Sequence, residues 1–481
     1  MLPAWIDVEL ASLDLGDKRR DRRAGLILDH LAQFAESPPD ACQSKASLEA
    51  TYRFMNNPAV QADAILQAHN QASIRRASEH GVVVFAQDTS TVDLTKPERQ
   101  VRGAGPLESD DKRGLFIHPL YAMTEEGLPL GIVDQVIWTR AEIRTNLSKA
   151  EKELLRRKMA FEEKESYRWL EMFQNGEQIA RATPATHFIS VADSECDICE
   201  VFAETPELPE NYDYVIRGCH NRALVARGGE AEAKFVDEAL SQAEVLYTSE
   251  TTVSERVAKV ASDTRSRRKS RPARVAKIQT RACQVVLRGP PRPGGKLPDV
   301  VLNVVEAVEM DPPAGEEPIR WILFTSLPIS SIVEIQRVIQ LYGRRWDIEM
   351  YFKTLKSGLG VEKLKYETLD RYLTAMSLMM IVAWRVEQLK GAARFDSDAS
   401  CEKYFDADEW MPAYMVLHQT QELPSEPPKT SEFMLMIAQL GGYLDKKGQG
   451  PPGSTTIWRG LRRMEAYAEA FKAFRRQSED V

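Results

Sequence analysis

At 481 residues the chain is too long for one hydrophobic core, so about two to four domains are expected. With 43% hydrophobic and 28% charged residues, 26 glycines and 26 prolines, it is not collagen-like, low-complexity or largely disordered. Its 63 Lys and Arg against 71 Asp and Glu give a net charge of −8, which taken whole argues against a polyanion binder, and six cysteines make no disulfide framework.

Residues 1 to about 75 read as helices. Asp17 can cap one that carries Leu26, Ile27, Leu31 and Phe34 and stops at Pro38-Pro39; a second carries Leu48, Tyr52 and Phe54 and ends at Asn57-Pro58. The first begins in a basic cluster, Lys18, Arg19, Arg20, Arg22 and Arg23. The Val82 to Ala86 run is apolar throughout, as in a buried strand, and ends in Gln87-Asp88-Thr89. Leu115 to Met123 and Leu128 to Thr139 flank turn residues and predict a hairpin. A charged helix is expected over about 148 to 178, and a second buried strand, His187 to Ala192, ends at Asp193. Cys196 and Cys199 stand without a second pair, so no zinc is assigned.

After Tyr214 to Arg217, a strand-rich stretch of about 218–318 reads as an inserted β subdomain. It holds a basic run with no acid, namely Arg265, Arg267, Arg268, Lys269, Arg271, Arg274 and Lys277, and a Gly289 to Gly295 turn whose glycine spacing is not that of a phosphate loop. Trp321 to Phe324 is a further strand, and Ser331 with Glu334 makes a capping box for a long helix ending near Gly358. Leu373 to Trp384 is apolar but too short to cross a bilayer. Beyond about 390 the chain is helical, with breaks at Pro424 to Pro428 and Gly448 to Gly453 and a last amphipathic helix from about Ile457 to Arg475. The opening residues form neither a basic nor an apolar leader, so a cytoplasmic protein is expected, nucleoid-associated if it acts on DNA, with no membrane partner.

Two strands that each finish in an aspartate put carboxylates where open α/β sheets collect their ligands. Tyr342, Arg345, Glu349 and Lys356, taken as one continuous helix, form a stripe about 60° wide. Two aspartates and a glutamate beside cations suit hard divalent ions, and a pair of such ions promotes phosphodiester displacement. Basic runs this dense repel themselves unless a polyanion such as DNA screens them.

The pattern Tyr342-x-x-Arg345-x-x-x-Glu349-x-x-x-x-x-x-Lys356 (YGRRWDIEMYFKTLK) stands with FAQDTST around Asp88, SVADSECDI around Asp193, RWILFTS at Trp321, EKESYRW, YRFMNNP and LGGYLDKKG. In these motifs and their order the chain resembles the Asp-Asp-Glu transposases of the insertion-sequence-four family, of the transposon-five type. The resemblance implies an α/β fold: a ribonuclease-H-like catalytic core over 76–390 with the β insertion, an N-terminal helical end-binding domain over 1–75 and a C-terminal helical dimerisation domain over 391–481. It implies that Asp88, Asp193 and Glu349 hold two Mg²⁺ ions, with Mn²⁺ substituting. Water then cuts one strand at the transposon end, the freed 3′ hydroxyl forms a hairpin, a second water opens it, and the hydroxyl joins target DNA. Trp321, Arg217, Tyr342 and Arg345 match the positions that hold a flipped base, Lys356 a phosphate contact, and Arg19, Arg20, Arg23 and Arg53 the end-binding domain. Arg267, Arg268, Lys269, Arg271 and Arg274 match the family's insertion loop. The implied partners are transposon-end double-stranded DNA, target DNA and a second copy of the chain in a homodimeric paired-end complex. A structure-specific nuclease would share the three carboxylates, a DNA-binding regulator would lack one of them, and a two-carboxylate glycosidase would leave the basic runs unexplained.

Overall fold

The computed structural model describes residues 2–34, 44–95, 101–108, 111–141, 151, 159–225, 233–255, 271–292, 295–446 and 449–479. The chain divides into two compact units, one of Met1–Lys164, Ala182–Thr186 and Trp346–Val481, the other of Glu165–Arg181 and His187–Arg345. The first therefore gathers N-terminal, central and C-terminal segments.

The first unit opens with helices α1 (Ala4–Glu9), α2 (Lys18–Phe34), α3 (Lys45–Met55) and α4 (Ala62–Ser78). Asp17 caps α2 as expected, its Oδ1 accepting from the Arg19 N–H at 2.8 Å, and the Ser44 hydroxyl accepts from the Ser47 N–H at 3.1 Å. Pro38 and Pro39 lie outside the described residues. Strands β1 (Val82–Gln87), β2 (Ser90–Asp93), β3 (Arg113–Thr124) and β4 (Pro129–Trp138) follow. The hairpin is β3 and β4, closed by the Gly127 N–H on the Thr124 carbonyl at 3.0 Å; Gly127 has φ +106°, which only glycine takes without strain. β1 and β2 both pair antiparallel with β3. Gln87 faces Leu120 and Ser90 faces Ile117, so the register sets Pro119, which has no N–H for a ladder, opposite Asp88. α4 packs on β4, so closely at Gly131 that a Cβ would sit 2.0 Å from the Ser73 hydroxyl.

In the second unit, α5 (Tyr167–Ala182) precedes β5 (His187–Ala192), which runs parallel to β6 (Tyr212–Arg217). Of the charged stretch expected over about 148 to 178, residues 148–150 and 152–158 lie outside the described residues. The insertion supplies β7 (Val245–Val253), β8 (Arg274–Leu287) and β9 (Val300–Met310), and β10 (Arg320–Thr325) follows. These strands extend the sheet rather than stand apart, in the order β5, β6, β10, β9, β8, β7. In the Gly-rich stretch Pro291–Arg292 pairs antiparallel with Gly295–Lys296, and residues 293 and 294 lie outside the described residues.

Helix α6 (Ile332–Gly343) starts at the expected capping box: Ser331 Oγ accepts from the Glu334 N–H at 3.3 Å and Glu334 Oε2 from the Ser331 N–H at 2.9 Å. The single helix expected to reach Gly358 is not continuous. At Gly343 it tightens, the Arg344 and Arg345 N–H groups reaching back only three residues, to Leu341 and Tyr342 carbonyls at 3.0 and 3.1 Å. α7 (Trp346–Lys353) then begins in the first unit. It passes into a π turn over Thr354–Gly358, where the Leu359 N–H donates to the Thr354 carbonyl at 2.8 Å. Tyr342 and Arg345 thus fall in one unit and Glu349 and Lys356 in the other, so the one-helix stripe is corrected.

Helices α8 (Leu369–Phe395), α9 (Ala407–His418), α10 (Thr430–Leu440) and α11 (Ser454–Glu479) complete the first unit. The Leu373 to Trp384 run lies in α8, which is buried on nearly all sides, and among the described residues no helix is long and apolar enough to cross a membrane. Trp384 packs under the Arg76 guanidinium, 4.1 Å from the ring centroid, and Arg76 pairs with buried Glu9. Glu9 also accepts from His69 Nδ1 at 2.6 Å, while His69 Nε2 accepts from the Ile132 N–H at 3.2 Å. That tautomer is neutral, and burial holds the His69 pKa below its ordinary value.

Candidate active site

Within the first unit, Asp88 is half-buried in the gap between β1 and β2, its Oδ1 accepting from the Thr89 N–H at 2.8 Å. The Thr89 hydroxyl lies 2.8 Å from Nδ1 of buried His118 on β3. α7, which carries exposed Glu349, packs against β1, the strand that ends beside Asp88. Lys356, in the π turn, is 3.5 Å from Glu362, and the same Glu362 Oε1 accepts from the Asp93 N–H at 3.1 Å. Thr89 and His118 are partners that sequence reasoning missed; their signal is the Thr after Asp88 and a lone His in an otherwise apolar strand.

Within the second unit, Asp193 follows β5 and caps a short turn by accepting from the Glu195 N–H at 2.8 Å. Around it gather Arg217 at the end of β6, Trp321 on β10, Tyr342 in the last turn of α6 and Arg345 just after it. The Trp321 and Tyr342 rings stand edge to face, 5.2 Å between centroids and 70° apart. Tyr342 is fully buried and Arg345 is 7% exposed. Burial pushes the Tyr342 hydroxyl pKa up; the Arg345 and Arg217 charges pull it down and Asp193 pushes it up, so all three lie within its electrostatic reach. Trp321 has a second role, packing against the Val253, Ala276, Ile278 and Ala307 cluster of the insertion.

Asp88 and Glu349 in the first unit, and Asp193 in the second, each offer carboxylate oxygens, the donor type that hard divalent ions take. Negative potential is concentrated beside Asp193: burial, then Asp193 and Glu165, raise the Glu195 carboxyl above its usual range. Glu195 was missed in the sequence, although it stands two residues after Asp193. The Cys196 thiol is fully buried, and burial, then Asp193 and Asp197, push it well above the ordinary range, so it is inert. Among the described residues Asp197, Cys219 and His220 bring ligand atoms within 4.8 Å of one another, but Asp197 is occupied by Arg222 Nε at 2.5 Å and the Cys219 and His220 N–H groups at 2.8 and 2.9 Å.

The expected DNA contacts differ in their surroundings. Arg19 is exposed and pairs with Asp17 at 3.1 Å, and Arg53 is exposed in the last turn of α3. Arg20 is tied to the Leu15 carbonyl at 2.7 Å, and Arg23 is half-buried on α2. Arg267, Arg268 and Lys269 lie outside the described residues. Half-buried Arg271 is near enough to help lower the Glu309 pKa, after the bond from Arg274. Arg274 is turned inward, both its Nε and Nη2 donating to Glu309 at 2.9 Å. That fork is a link within the sheet.

Three family models match. The transposase DNA-binding model covers residues 3–60, the transposase DDE domain model covers 209–385, and the transposase Tn5 dimerisation domain model covers 381–481. The second spans Arg217, Trp321, Tyr342, Arg345, Glu349 and Lys356. A cryo-EM structure of the piggyBac transposase synaptic complex with hairpin DNA aligns over 96% of this chain and 81% of that one, at TM-score 0.38 and 10% identity.

Proposed function

Because this chain belongs to the Tn5-like DDE transposases, we propose that it cuts a DNA element out through a hairpin intermediate and pastes it into target DNA. One observation carries the reading: Asp193, Arg217, Trp321, Tyr342 and Arg345, from separate segments of the second unit, gather into one acidic, cationic and aromatic cluster.

Asp88, Asp193 and Glu349 would hold two Mg²⁺ ions, replaceable by Mn²⁺, which when bound neutralise charge at the scissile phosphate and favour the ionised nucleophile. The His118 contact with Thr89 steadies the backbone at Asp88, and the Glu195 N–H fixes the Asp193 rotamer. Water attacks at the transposon end, leaving a 3′ hydroxyl. That hydroxyl attacks the opposite strand, making one phosphodiester bond as another breaks. A second water opens the hairpin, and the same hydroxyl attacks target DNA with the same exchange of bonds. Trp321 offers a ring face for a base drawn out of the duplex, while Arg217 and Arg345 supply charge beside it. Lys356 contacts a phosphate. Arg19, Arg23 and Arg53 contact the end duplex, and the 265–271 run tracks DNA beyond it. The protein works as a homodimer on two paired ends, at the nucleoid.

The test is a duplex carrying the element's inverted repeat, incubated with purified protein and Mg²⁺ and resolved on a denaturing gel. Nicked, hairpin and plasmid-joined products in succession are expected. Nicking without joining from a pre-cut end would reduce the function to a nuclease, and binding without nicking to a regulator.

A further inference from the structure

Glu387 is a buried carboxylate with no part in the strand-transfer chemistry. It lies on α8, 7% exposed, and its Oε1 accepts from the Thr354 hydroxyl and, at 3.0 Å, from the Ser454 hydroxyl. Lys390 Nζ is 2.8 Å from each Glu387 oxygen and donates to Ser454 Oγ at 2.8 Å as well. Three distant segments thus close one hub: the first residue of the π turn, the middle of α8 and the first residue of α11.

Thr354 has two tasks. Its side chain, 1% exposed, reaches Glu387, and its carbonyl closes the wide turn by accepting from the Leu359 N–H. Lys356 sits inside that turn, two residues on, and is held from its other side by Glu362. Thr354 and Leu355 are themselves buried, but the helix leading into them borders open space. Asp347, Met350 and Lys353 of α7 line a cavity of about 810 Å³ that Glu387, Lys390 and Ser454 also border. An unanchored π turn has an α-helical alternative one bond away, and taking it would turn Lys356 around the axis, away from the direction the wide turn gives it.

We propose that Glu387 is a positioning residue for strand cleavage, holding the π turn through Thr354 so that Lys356 meets its phosphate. The inference rests on the reading of Lys356 as a phosphate contact. Its test is single-turnover cleavage of a pre-bound end duplex by the full chain, with end affinity and thermal midpoint measured alongside. Lys356→Ala and Glu387→Gln should each slow cleavage about ten- to a hundred-fold, as misplacement of a contact by about 1 Å does, with end affinity kept. The double variant should be no slower than the slower single variant. Thr354→Val should reproduce the loss, and Thr354→Ser, which keeps the hydroxyl, should restore most of it; this pair carries the test should Glu387→Gln fail to fold. A purely structural role would lower thermal midpoints without this dependence on Lys356. Wild-type cleavage by Glu387→Gln, or losses that multiply in the double variant, would overturn the proposal. A silent Lys356→Ala would strike the phosphate reading itself, and the inference with it.

Discussion

Gly460 lies where α11 crosses α10, and a methyl group there has nowhere to go. A Cβ would stand 1.8 Å from the Ile437 carbonyl oxygen, 2.6 Å from its carbon and 2.9 Å from its Cγ2. Two of these atoms are backbone, so no rotamer change relieves the clash. Reaching an ordinary C···O approach of about 3.3 Å means parting the helices by about 1.5 Å. The neighbouring contact, where a Cβ at Gly441 would lie 2.0 Å from the Thr456 oxygen, shows how close the two backbones run. Gly460→Ala should therefore incur an overpacking penalty of about 1–3 kcal/mol. Parting the helices also strains the Arg463 bond to the Leu440 carbonyl, worth about 1 kcal/mol. Helix propensity opposes with about 1 kcal/mol in favour of alanine. The net loss, about 1–3 kcal/mol, corresponds to a fall of roughly 2–12 °C in thermal midpoint for a unit of this size. Circular dichroism melts would measure it, and native gels would show fewer paired-end complexes at unchanged single-end binding. A midpoint at or above wild type would mean that propensity wins and the crossing is not rigid.

Asp88→Ala, Asp193→Ala and Glu349→Ala should each abolish Mg²⁺-dependent cleavage in a gel assay while end binding persists; loss of binding in all three would argue for a structural role. Trp321→Ala should stall the reaction after the first nick, since stacking is worth about 1–3 kcal/mol per base, and Trp321→Phe should recover much of the hairpin yield on a denaturing gel. Neutralising Arg267, Arg268 and Lys269 together should lower the slope of log affinity against log salt by about one for each phosphate left without its cation, with an unchanged thermal midpoint. Arg274→Gln should do the reverse, lowering the midpoint and sparing the salt slope, because it unpairs buried Glu309. Burial, then the Glu409 charge and hydrogen bond, raise the Glu465 carboxyl well above its ordinary value of 4.5. The folded state therefore binds a proton that the unfolded chain has released, and the stability this confers fades as the pH climbs above 4.5 through the raised value. Glu465→Gln should raise the midpoint at neutral pH and flatten its pH dependence in thermal melts.

Local chemistry made much of this legible before any coordinates. The runs Val82 to Ala86 and His187 to Ala192 are strands that are buried after their first residue, and Asp88 and Asp193 follow them where a carboxylate stays nearer water. The capping box at Ser331 set the start of α6 by its two reciprocal bonds. The end of that helix was not legible. A helical wheel assumes 3.6 residues per turn, whereas the chain tightens after Gly343 and widens at Thr354, whose hydroxyl donates to Glu387 far along the chain. The Arg274 pairing was not legible for a related reason: a basic run shows charge density but not that one member faces Glu309.

The insertion is woven into the sheet, and this bears on where the chain can change length. Trp321 on β10 pairs with Ala307 of β9, and two residues on, Leu323 pairs with Arg217 of β6. A strand has a period of two, so deleting a single residue from β9 would shift its register against β10 and unseat the packing under the Trp321 ring. The pairing of β7 with β8 ends at Val253 and Arg274, and the chain between these two residues carries the basic run. Residues can be added or removed there at little entropic cost, which lets the basic run grow or shrink while the tryptophan stays in place.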